Sequence, residues 1–234
     1  MATIDTRLQT VKGRIAKACA QAGRDVQSVT LLAVSKTQDA QAVREAAERG
    51  QADFGENYVQ EALDKLAELA PLRARLRWHL IGPLQSNKTR LVAEAFDWVH
   101  TVDRLKIAQR LAEQRPPQLA PLQVCLQVNV SGEASKSGVA PAELPALAHA
   151  VAALPRLQLR GLMAIPEPAH DPAAQRAPHR LLATLLAELR AQGLALDTLS
   201  MGMSADLEAA VAEGATIVRV GTALFGERSR AAPG

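Results

Sequence analysis

The sequence contains few aromatic residues and few cysteines. Aromatic side chains make up only 3% of the 234 residues, so a core must be packed mainly with Leu, Ala, Val and Ile. The two cysteines, Cys19 and Cys125, stand in apolar surroundings and belong to no CxxC motif or Cys/His cluster. This pattern excludes a disulfide scaffold and a zinc site built on cysteines. We expect both thiols to be reduced and at least partly buried.

Charge and hydropathy exclude further classes of protein. The net charge is only +3 and no dense Lys/Arg cluster occurs, which argues against a nucleic-acid-binding surface. No apolar stretch approaches the length of a membrane span, and the segment MATIDTRLQTVKGR is too polar for a signal peptide. We therefore expect a cytoplasmic protein that binds no membrane, no nucleic acid and no metal.

Short apolar runs alternate with amphipathic helical stretches along the chain. Strand-like runs occur at 30–36, 52–57, 77–82, 98–103, 123–129, 158–165, 198–202 and 216–221. Helical patterns separate them at 40–49, 59–69, 88–94, 104–114, 141–154, 180–192 and 206–213. Strands that alternate with helices pair in parallel, and eight such units match the size of a TIM-type (β/α)8 barrel. A doubly wound sheet is the alternative, because periodicity does not show closure.

An amphipathic helix is expected before the first strand. Residues 4–22 place Leu8, Val11 and Ile15 on one stripe, whereas only LFGERSRAAPG follows the last predicted strand. We expect this N-terminal helix to cover the barrel where a final helix would otherwise lie. No break in composition divides the sequence, so we expect residues 1–234 to form one domain.

Small and hydroxylated residues follow the last two predicted strands, as SMGMS (200–204) and RVGTALFG (219–226). In (β/α)8 barrels these two loops commonly hold a phosphate. Ser200, Ser204 and Thr222 offer hydroxyl groups, and a helix that begins near residue 206 would direct its amides toward an anion. Ordinary turns are the alternative at both places.

Two cationic side chains stand where burial is expected. Lys36 follows the apolar LLAVS, so it is either solvated at the rim or part of a site, where burial would lower its pKa as a Schiff-base lysine requires. Arg219 lies inside the apolar run TIVRVG, where an unpaired charge is costly. Arg219 either pairs with a strand-end carboxylate such as Glu56 or Asp103, or contacts a ring nitrogen or phosphate of a ligand.

The remaining polar residues near strand ends carry no recognisable motif. His79 and His100 are isolated in the sequence, and we expect each to be a core or rim histidine. Asp53 also lies near a strand end, without an identifiable partner. No Walker, GxGxxG, HExxH or GxSxG motif occurs.

Seven blocks, taken together and in order, resemble the YggS/PROSC family of pyridoxal phosphate homeostasis proteins. The family is similar in fold to the N-terminal barrel domain of alanine racemase. The blocks are LLAVSKTQ (31–38), FGENYVQE (54–61), WHLIGPLQSNK (78–88), SKSG (135–138), RGLMAI (160–165), LSMGMSAD (199–206) and VRVGTALFG (218–226).

The resemblance implies pyridoxal 5′-phosphate (PLP) as cofactor and no catalytic residue. The implied cofactor-binding residues are Lys36, Asn57, Ser200, Ser204, Arg219, Gly221 and Thr222. Among these, Lys36 matches the Schiff-base lysine and Arg219 the arginine at the ring nitrogen. The chain departs from the family pattern in a shortened segment at 166–178 and in Asp39, which replaces an expected proline.

The resemblance favours a PLP-binding carrier without substrate turnover. An arginine at the ring nitrogen cannot accept the pyridinium proton, so the cofactor is a weaker electron sink. A PLP-dependent racemase-type enzyme is the alternative. In the resembled enzyme a C-terminal β-domain supplies the second proton-transfer group, and we expect no such domain here. A protein-interaction module with a regulatory cofactor is a third possibility. We expect a monomer, with apo-PLP enzymes as candidate partners.

Overall fold

Eight strands form a closed parallel barrel in the computed structural model, which describes residues 2–132, 137–169 and 171–226. The strands are β1 (Thr30–Val34), β2 (Asp53–Glu56), β3 (Arg77–Leu80), β4 (Trp98–Val102), β5 (Leu122–Gln127), β6 (Leu157–Met163), β7 (Thr198–Ser200) and β8 (Ile217–Val220). Each strand pairs with the next one, and β8 pairs with β1 from Thr30↔Ile217 to Ala33↔Val220. The predicted TIM-type barrel is confirmed, and closure excludes the doubly wound alternative.

Helices connect the strands and surround the barrel. They are α1 (Ile4–Gln21), α2 (Ala40–Glu48), α3 (Val59–Glu68), α4 (Thr89–Ala95), α5 (Leu105–Gln114), α6 (Leu144–Ala152), α7 (Pro172–Ala191), α8 (Leu207–Ala212) and α9 (Thr222–Phe225). Asp39 caps α2, since its side chain accepts a hydrogen bond of 2.8 Å from the amide of Ala42. Asp39, which stands where the family pattern has a proline, therefore acts at the start of a helix.

The helix α7 begins eight residues before its predicted start. Asp171 caps it by accepting a hydrogen bond of 2.8 Å from the amide of Ala174, and Pro172 occupies the first helical position. A proline fits there because that amide has no partner within the helix. The helix therefore includes the second half of the segment 166–178, which the predicted helix 180–192 left out.

The N-terminal helix α1 packs along the outside of the barrel against α2, α8 and α9. Its Leu8, Val11 and Ile15 are buried. Because α9 has only four residues, α1 covers the part of the barrel that the last helix leaves open. The expected role of the N-terminal helix is confirmed.

Two groups of buried side chains lie on opposite sides of the strands. The outer layer, between strands and helices, is a large apolar cluster that includes Phe54 and Trp78. The barrel interior holds a small apolar cluster without helical residues, formed by Leu32, Ile81 and Ile217. The strands therefore separate a continuous apolar layer from a much smaller apolar group.

Both cysteines are buried free thiols, as expected. Burial raises the pKa of Cys125 to about 12, so its thiol stays protonated at neutral pH. Among the described residues, no helix is long and apolar enough to cross a bilayer.

Candidate functional site

A cavity of about 330 Å³ lies at the carboxyl ends of β1, β7 and β8. It is lined by Val34, Lys36, Asn57, Ile81, Ile165, Met203, Ser204, Ala205, Arg219, Gly221 and Thr222. Barrels of this type bind their ligands at this end of the strands. A larger cavity of about 660 Å³ lies at the opposite end against α1, but its Asp53 and Arg77 already hold each other through two hydrogen bonds of 2.6 Å. We therefore assign the candidate site to the smaller cavity.

The cavity brings together six of the seven residues predicted to bind a cofactor, namely Lys36, Asn57, Ser204, Arg219, Gly221 and Thr222. The seventh, Ser200, is fully buried and is not among the lining residues. Its hydroxyl lies 2.7 Å from His100 Nδ1 and 2.9 Å from the guanidinium of Arg219. The hydroxyl of Ser200 is thus occupied inside the barrel.

Lys36 is half-buried on the cavity wall, two residues after β1. Within the described part of the chain its amine makes no hydrogen bond and no ion pair. The next residue, Thr37, has a left-handed backbone with φ of 64°, which is uncommon for a β-branched residue. The amine is therefore available to a ligand, on a chain that turns sharply beside it.

A buried ion pair holds the residue before Lys36. Lys65 donates hydrogen bonds of 2.7 Å to the carbonyl of Ser35 and 2.8 Å to Glu56. The hydroxyl of Ser35 donates to the same Glu56 oxygen at 2.6 Å. Burial raises the pKa of Glu56, although its contacts with Lys65 and Ser35 act in the opposite direction. The backbone at Ser35 is thereby tied to α3.

A second carboxylate holds the residue after Lys36. Glu61 Oε1 accepts hydrogen bonds of 2.5 Å from the amide of Thr37 and 2.6 Å from Lys65. Glu61 and Lys65 are four residues apart on α3, a spacing that brings side chains together on a helix. The backbone is thus fixed on both sides of Lys36. The sequence shows the i,i+4 spacing of Glu61 and Lys65, but it does not show that this pair contacts the backbone of Ser35 and Thr37.

Arg219 lies at the inner end of the cavity and is almost fully buried. Its NH1 donates to the carbonyl and the hydroxyl of Ser200 at 2.6 and 2.9 Å, and its NH2 donates to the carbonyl of Ala164 at 2.7 Å. Burial lowers the pKa of Arg219 to about 10, so the guanidinium stays charged at neutral pH. Its Nε–H donates to no described group and remains free for an acceptor.

The expected alternative of an ion pair between Arg219 and Glu56 or Asp103 is wrong. Glu56 pairs with Lys65 on the helix side of β2, whereas Arg219 points into the barrel. Asp103 lies 3.4 Å from Arg104. Alternate residues of a strand face opposite sides, so nearness to a strand end did not bring these charges together.

Four backbone amides around the cavity have no hydrogen-bond acceptor among the described residues. They belong to Ser204 and Ala205 after β7 and to Gly221 and Thr222 after β8. A Cβ atom on Gly221 would lie 3.2 Å from the carbonyl oxygen of Val34, so the close approach of β1 favours glycine there. Neighbouring unsatisfied N–H groups of this kind form an anion-binding site.

The loop after β7 is fixed by its own contacts. Asp206 accepts a hydrogen bond of 2.6 Å from the amide of Met203 and lies 2.9 Å from His179. Arg14 of α1 donates to the carbonyl of Ser204 at 2.9 Å. The amide of Met203 is therefore occupied by Asp206, whereas the amides of Ser204 and Ala205 stay free.

The apolar part of the wall was missed from the sequence. Ile81 and Ile165 contribute to it, and Ile165 is 49% exposed, so an apolar side chain stands at the mouth of the cavity. Asn57 has a buried Oδ1 without a hydrogen-bond partner in the described chain. Gly82 packs against its backbone, since a Cβ atom on Gly82 would lie within 2.2 Å of the Asn57 carbonyl oxygen.

Part of one predicted segment lies outside the described residues. Residues 133–136 are not described, so Lys136 and half of the SKSG block (135–138) lie outside the described residues. Within the described chain, no group of three or more His, Cys, Asp or Glu side chains could hold a metal ion.

Comparison with known proteins identifies the family of this chain. The model of the alanine racemase N-terminal domain matches residues 7–229. The pyridoxal phosphate homeostasis protein of Pseudomonas aeruginosa is 65% identical, over 100% of this chain and 99% of its own length. That of Escherichia coli K12 is 54% identical, over 97% and 98%. The chain belongs to the YggS/PROSC family.

A solved structure extends the comparison to three dimensions. PipY of Synechococcus elongatus PCC7942, determined with PLP bound, superposes with a TM-score of 0.84 and is 43% identical, covering 96% of this chain and 100% of its own. The resemblance seen in the seven sequence blocks is thus confirmed. In this member of the YggS/PROSC family, the blocks that follow β1, β7 and β8 meet at one cavity.

Proposed function

We propose that this protein binds pyridoxal 5′-phosphate reversibly and maintains the intracellular supply of the cofactor without turning over a substrate. One observation carries the proposal: a single cavity combines an amine without a partner, a free guanidinium donor and four free backbone amides. These groups fit the aldehyde, the ring nitrogen and the phosphate of PLP, respectively. The names of the relatives and PLP in the PipY structure support the same assignment.

Lys36 is the proposed attachment point. Its deprotonated Nζ adds to the aldehyde carbon of PLP, and loss of one water molecule leaves a Schiff base, which water or another amine can reverse. The contacts of Ser35 and Thr37 with α3 fix the backbone on both sides of Lys36 while its side chain stays free. This combination suits a lysine that must hold and release an aldehyde.

The proposed phosphate site consists of the four free amides and two hydroxyl groups. Ser204 and Thr222 belong to the same two loops as the amides and can donate through their side chains as well. Gly221 allows close approach of the backbone. The dianion would thus be bound mainly by neutral donors.

Arg219 is the proposed partner of the ring nitrogen. A guanidinium donates only, so it leaves that nitrogen unprotonated and weakens the electron-withdrawing chemistry that PLP supplies to enzymes. A carrier needs no strong electron sink, but racemases also accept a weak one, so the choice between them rests on the names of the relatives, which do not favour the racemase alternative. We further propose a cytoplasmic monomer that can pass PLP to apo-PLP enzymes.

Reduction with borohydride tests the attachment. Purified protein reconstituted with PLP is expected to absorb visible light, and after reduction the pyridoxyl label should map to Lys36 by peptide mass spectrometry. Lys36→Ala should lose the reducible absorbance, whereas Lys12→Ala, at the opposite end of the barrel, should retain it. A label on another lysine of the wild-type protein would contradict the assignment.

A second experiment tests the absence of turnover. The PLP-loaded protein is incubated with a panel of amino acids and assayed for racemisation, transamination and decarboxylation, and B6 vitamer pools are measured in cells that lack it. We expect no turnover and disturbed pools. Efficient turnover, or unchanged pools, would favour the enzyme.

A further inference from the structure

Five polar side chains form a continuous hydrogen-bonded chain through the barrel interior. The chain begins at the amino-terminal end of β2 and ends at Arg219 on the wall of the cofactor cavity. All five residues are at most 6% exposed. In order, they are Asp53, His79, His100, Ser200 and Arg219.

The distances are those of good hydrogen bonds at every step. Asp53 Oδ1 lies 3.1 Å from His79 Nε2, and His79 Nδ1 lies 2.9 Å from His100 Nε2. His100 Nδ1 lies 2.7 Å from the hydroxyl of Ser200, which accepts from Arg219 NH1 at 2.9 Å. The two histidines, isolated in the sequence, are thus direct partners, and of the predicted core or rim positions both occupy the core.

The end at Asp53 sets the direction of the chain. Burial raises the pKa of Asp53, but the hydrogen bonds from His79 and Arg77 outweigh this effect and lower it to about 2. An ionised carboxylate only accepts hydrogen bonds, so His79 must carry its proton on Nε2. The Nδ1 of a neutral His79 is then an acceptor, and His100 must carry its proton on Nε2.

Burial favours the neutral form of both histidines. Burial lowers the pKa of His79, although Asp53 acts in the opposite direction, and burial together with the charge of Arg219 lowers the pKa of His100 well below its usual value. A neutral imidazole has one donor and one acceptor. The hydroxyl of Ser200 therefore donates to His100 Nδ1 while it accepts from Arg219, which can only donate. Every hydrogen bond points from Arg219 toward Asp53.

Arg219 needs such support because it is a buried cation without an adjacent counter-ion. No carboxylate of the described residues forms an ion pair with it, and its hydrogen-bond acceptors are neutral. The charge of Asp206 opposes the lowering of the Arg219 pKa by burial. Asp53, in contrast, is paired with Arg77 at the other end of the barrel and reaches Arg219 only through the chain. Chains of hydrogen bonds polarise one another in a low dielectric, so the carboxylate of Asp53 strengthens the acceptor that Ser200 presents to Arg219.

We propose that Asp53, His79, His100 and Ser200 are positioning residues, which form a one-directional hydrogen-bond chain that orients the guanidinium of Arg219 at the cofactor cavity. The chain exists independently of any ligand. Its effect on the ring nitrogen of PLP rests on the proposed function above. Ser200 thereby acts on the cofactor through Arg219.

Nitrogen NMR of the histidine rings tests the chain in the full-length, cofactor-free protein. Signals are assigned with single His→Gln variants, and the exposed His149 serves as an internal reference. His79 and His100 should both be neutral at pH 7, with the proton on Nε2. A proton on Nδ1 of either ring would overturn the proposed direction. This result does not depend on whether the protein binds PLP.

Two aspartate variants test the effect on the cofactor. Asp53→Asn removes the charge of the chain, whereas Asp197→Asn removes a carboxylate outside it that is held by Arg160 in the same two-bond manner. We expect Asp53→Asn to weaken PLP binding about threefold to tenfold and to shift the absorption maximum of bound PLP. Asp197→Asn should change neither. Equal effects of the two variants would overturn the proposal.

Variants at His100 test whether its hydrogen bonds orient Arg219 or whether its side chain only fills space in the barrel interior. Glutamine can donate to His79 through its amide nitrogen and accept from Ser200 through its oxygen, so His100→Gln should retain the absorption maximum. His100→Leu breaks the chain and should shift it. If both variants fold and have the same spectrum, the proposal is wrong. Wild-type protein that binds no PLP would instead refute the proposed function, while the NMR experiment still decides the chain.

Discussion

The outer layer and the barrel interior use the same strands but opposite chemistry. On β3, Trp78 points into the apolar outer layer, while the next residue, His79, points into the interior and joins Asp53 and His100. The outer layer is held by the burial of apolar surface, which tolerates changes of detail. The interior depends on a chain in which each donor needs one particular acceptor. The two regions should therefore respond differently to mutation, even at adjacent residues.

The largest effect is expected in the outer layer. Trp78 is fully buried, and its ring centroid lies 5.9 Å from that of Phe54. Trp78→Ala should lower the free energy of unfolding by about 3–5 kcal/mol, because it leaves a cavity between barrel and helices. Urea denaturation measures this loss. A loss below about 1 kcal/mol would show that the layer repacks.

Replacing the neighbouring interior residue, His79, should lower the free energy of unfolding by less. His79→Ala leaves one hydrogen-bonding group each of Asp53 and His100 without its partner, which corresponds to about 1–3 kcal/mol. The same urea titration measures it. We expect His79→Ala, unlike Trp78→Ala, also to change the absorption maximum of bound PLP, which would distinguish the interior from the outer layer. If Trp78→Ala shifts the spectrum equally, the two regions are not separable.

Acid should affect the interior in a defined range of pH. The pKa of Asp53 is about 2 in the folded protein, against 3.8 for the free side chain. Because the folded value is the lower one, its contribution is complete above about pH 4 and is lost as the pH falls toward 2. The loss amounts to about 2 kcal/mol. Between pH 4.5 and 2.5, the difference in unfolding free energy between wild type and Asp53→Asn should shrink by about 1.5 kcal/mol, since the rest of the loss occurs below pH 2.5. A constant difference would contradict the assigned pKa.

The smallest effect is expected at the cavity itself. Thr222→Ala removes one neutral hydrogen-bond donor and should weaken PLP binding by about 1 kcal/mol, without a measurable change in unfolding free energy. Gly221→Val should weaken binding more, because its side chain obstructs the backbone. Fluorescence or absorbance titration gives both affinities, with Thr184→Ala on α7 as a control. A phosphate bound elsewhere would leave all three variants equal to wild type.

Some of the site was predictable from sequence and some was not. Lys36, Gly221 and Thr222 could be assigned to one site because strand ends of a barrel meet at a common face, and because their blocks resemble a known family. The contacts of Lys65 with Ser35 and Glu56 could not be assigned in this way. They depend on the rotation of α3 about its axis, for which the sequence offered only an i,i+4 pair.

The sequence by itself determined the order of strands and helices and the family. Hydrophobic periodicity is a local property, and eight strand–helix units in a chain of this length fit a closed barrel. Only the tertiary structure decided which polar side chains meet inside that barrel. His100 and Ser200 are 100 residues apart in sequence but 2.7 Å apart in space. Strand register and the inward or outward direction of each side chain set such contacts, and closure of the barrel is what brings them together.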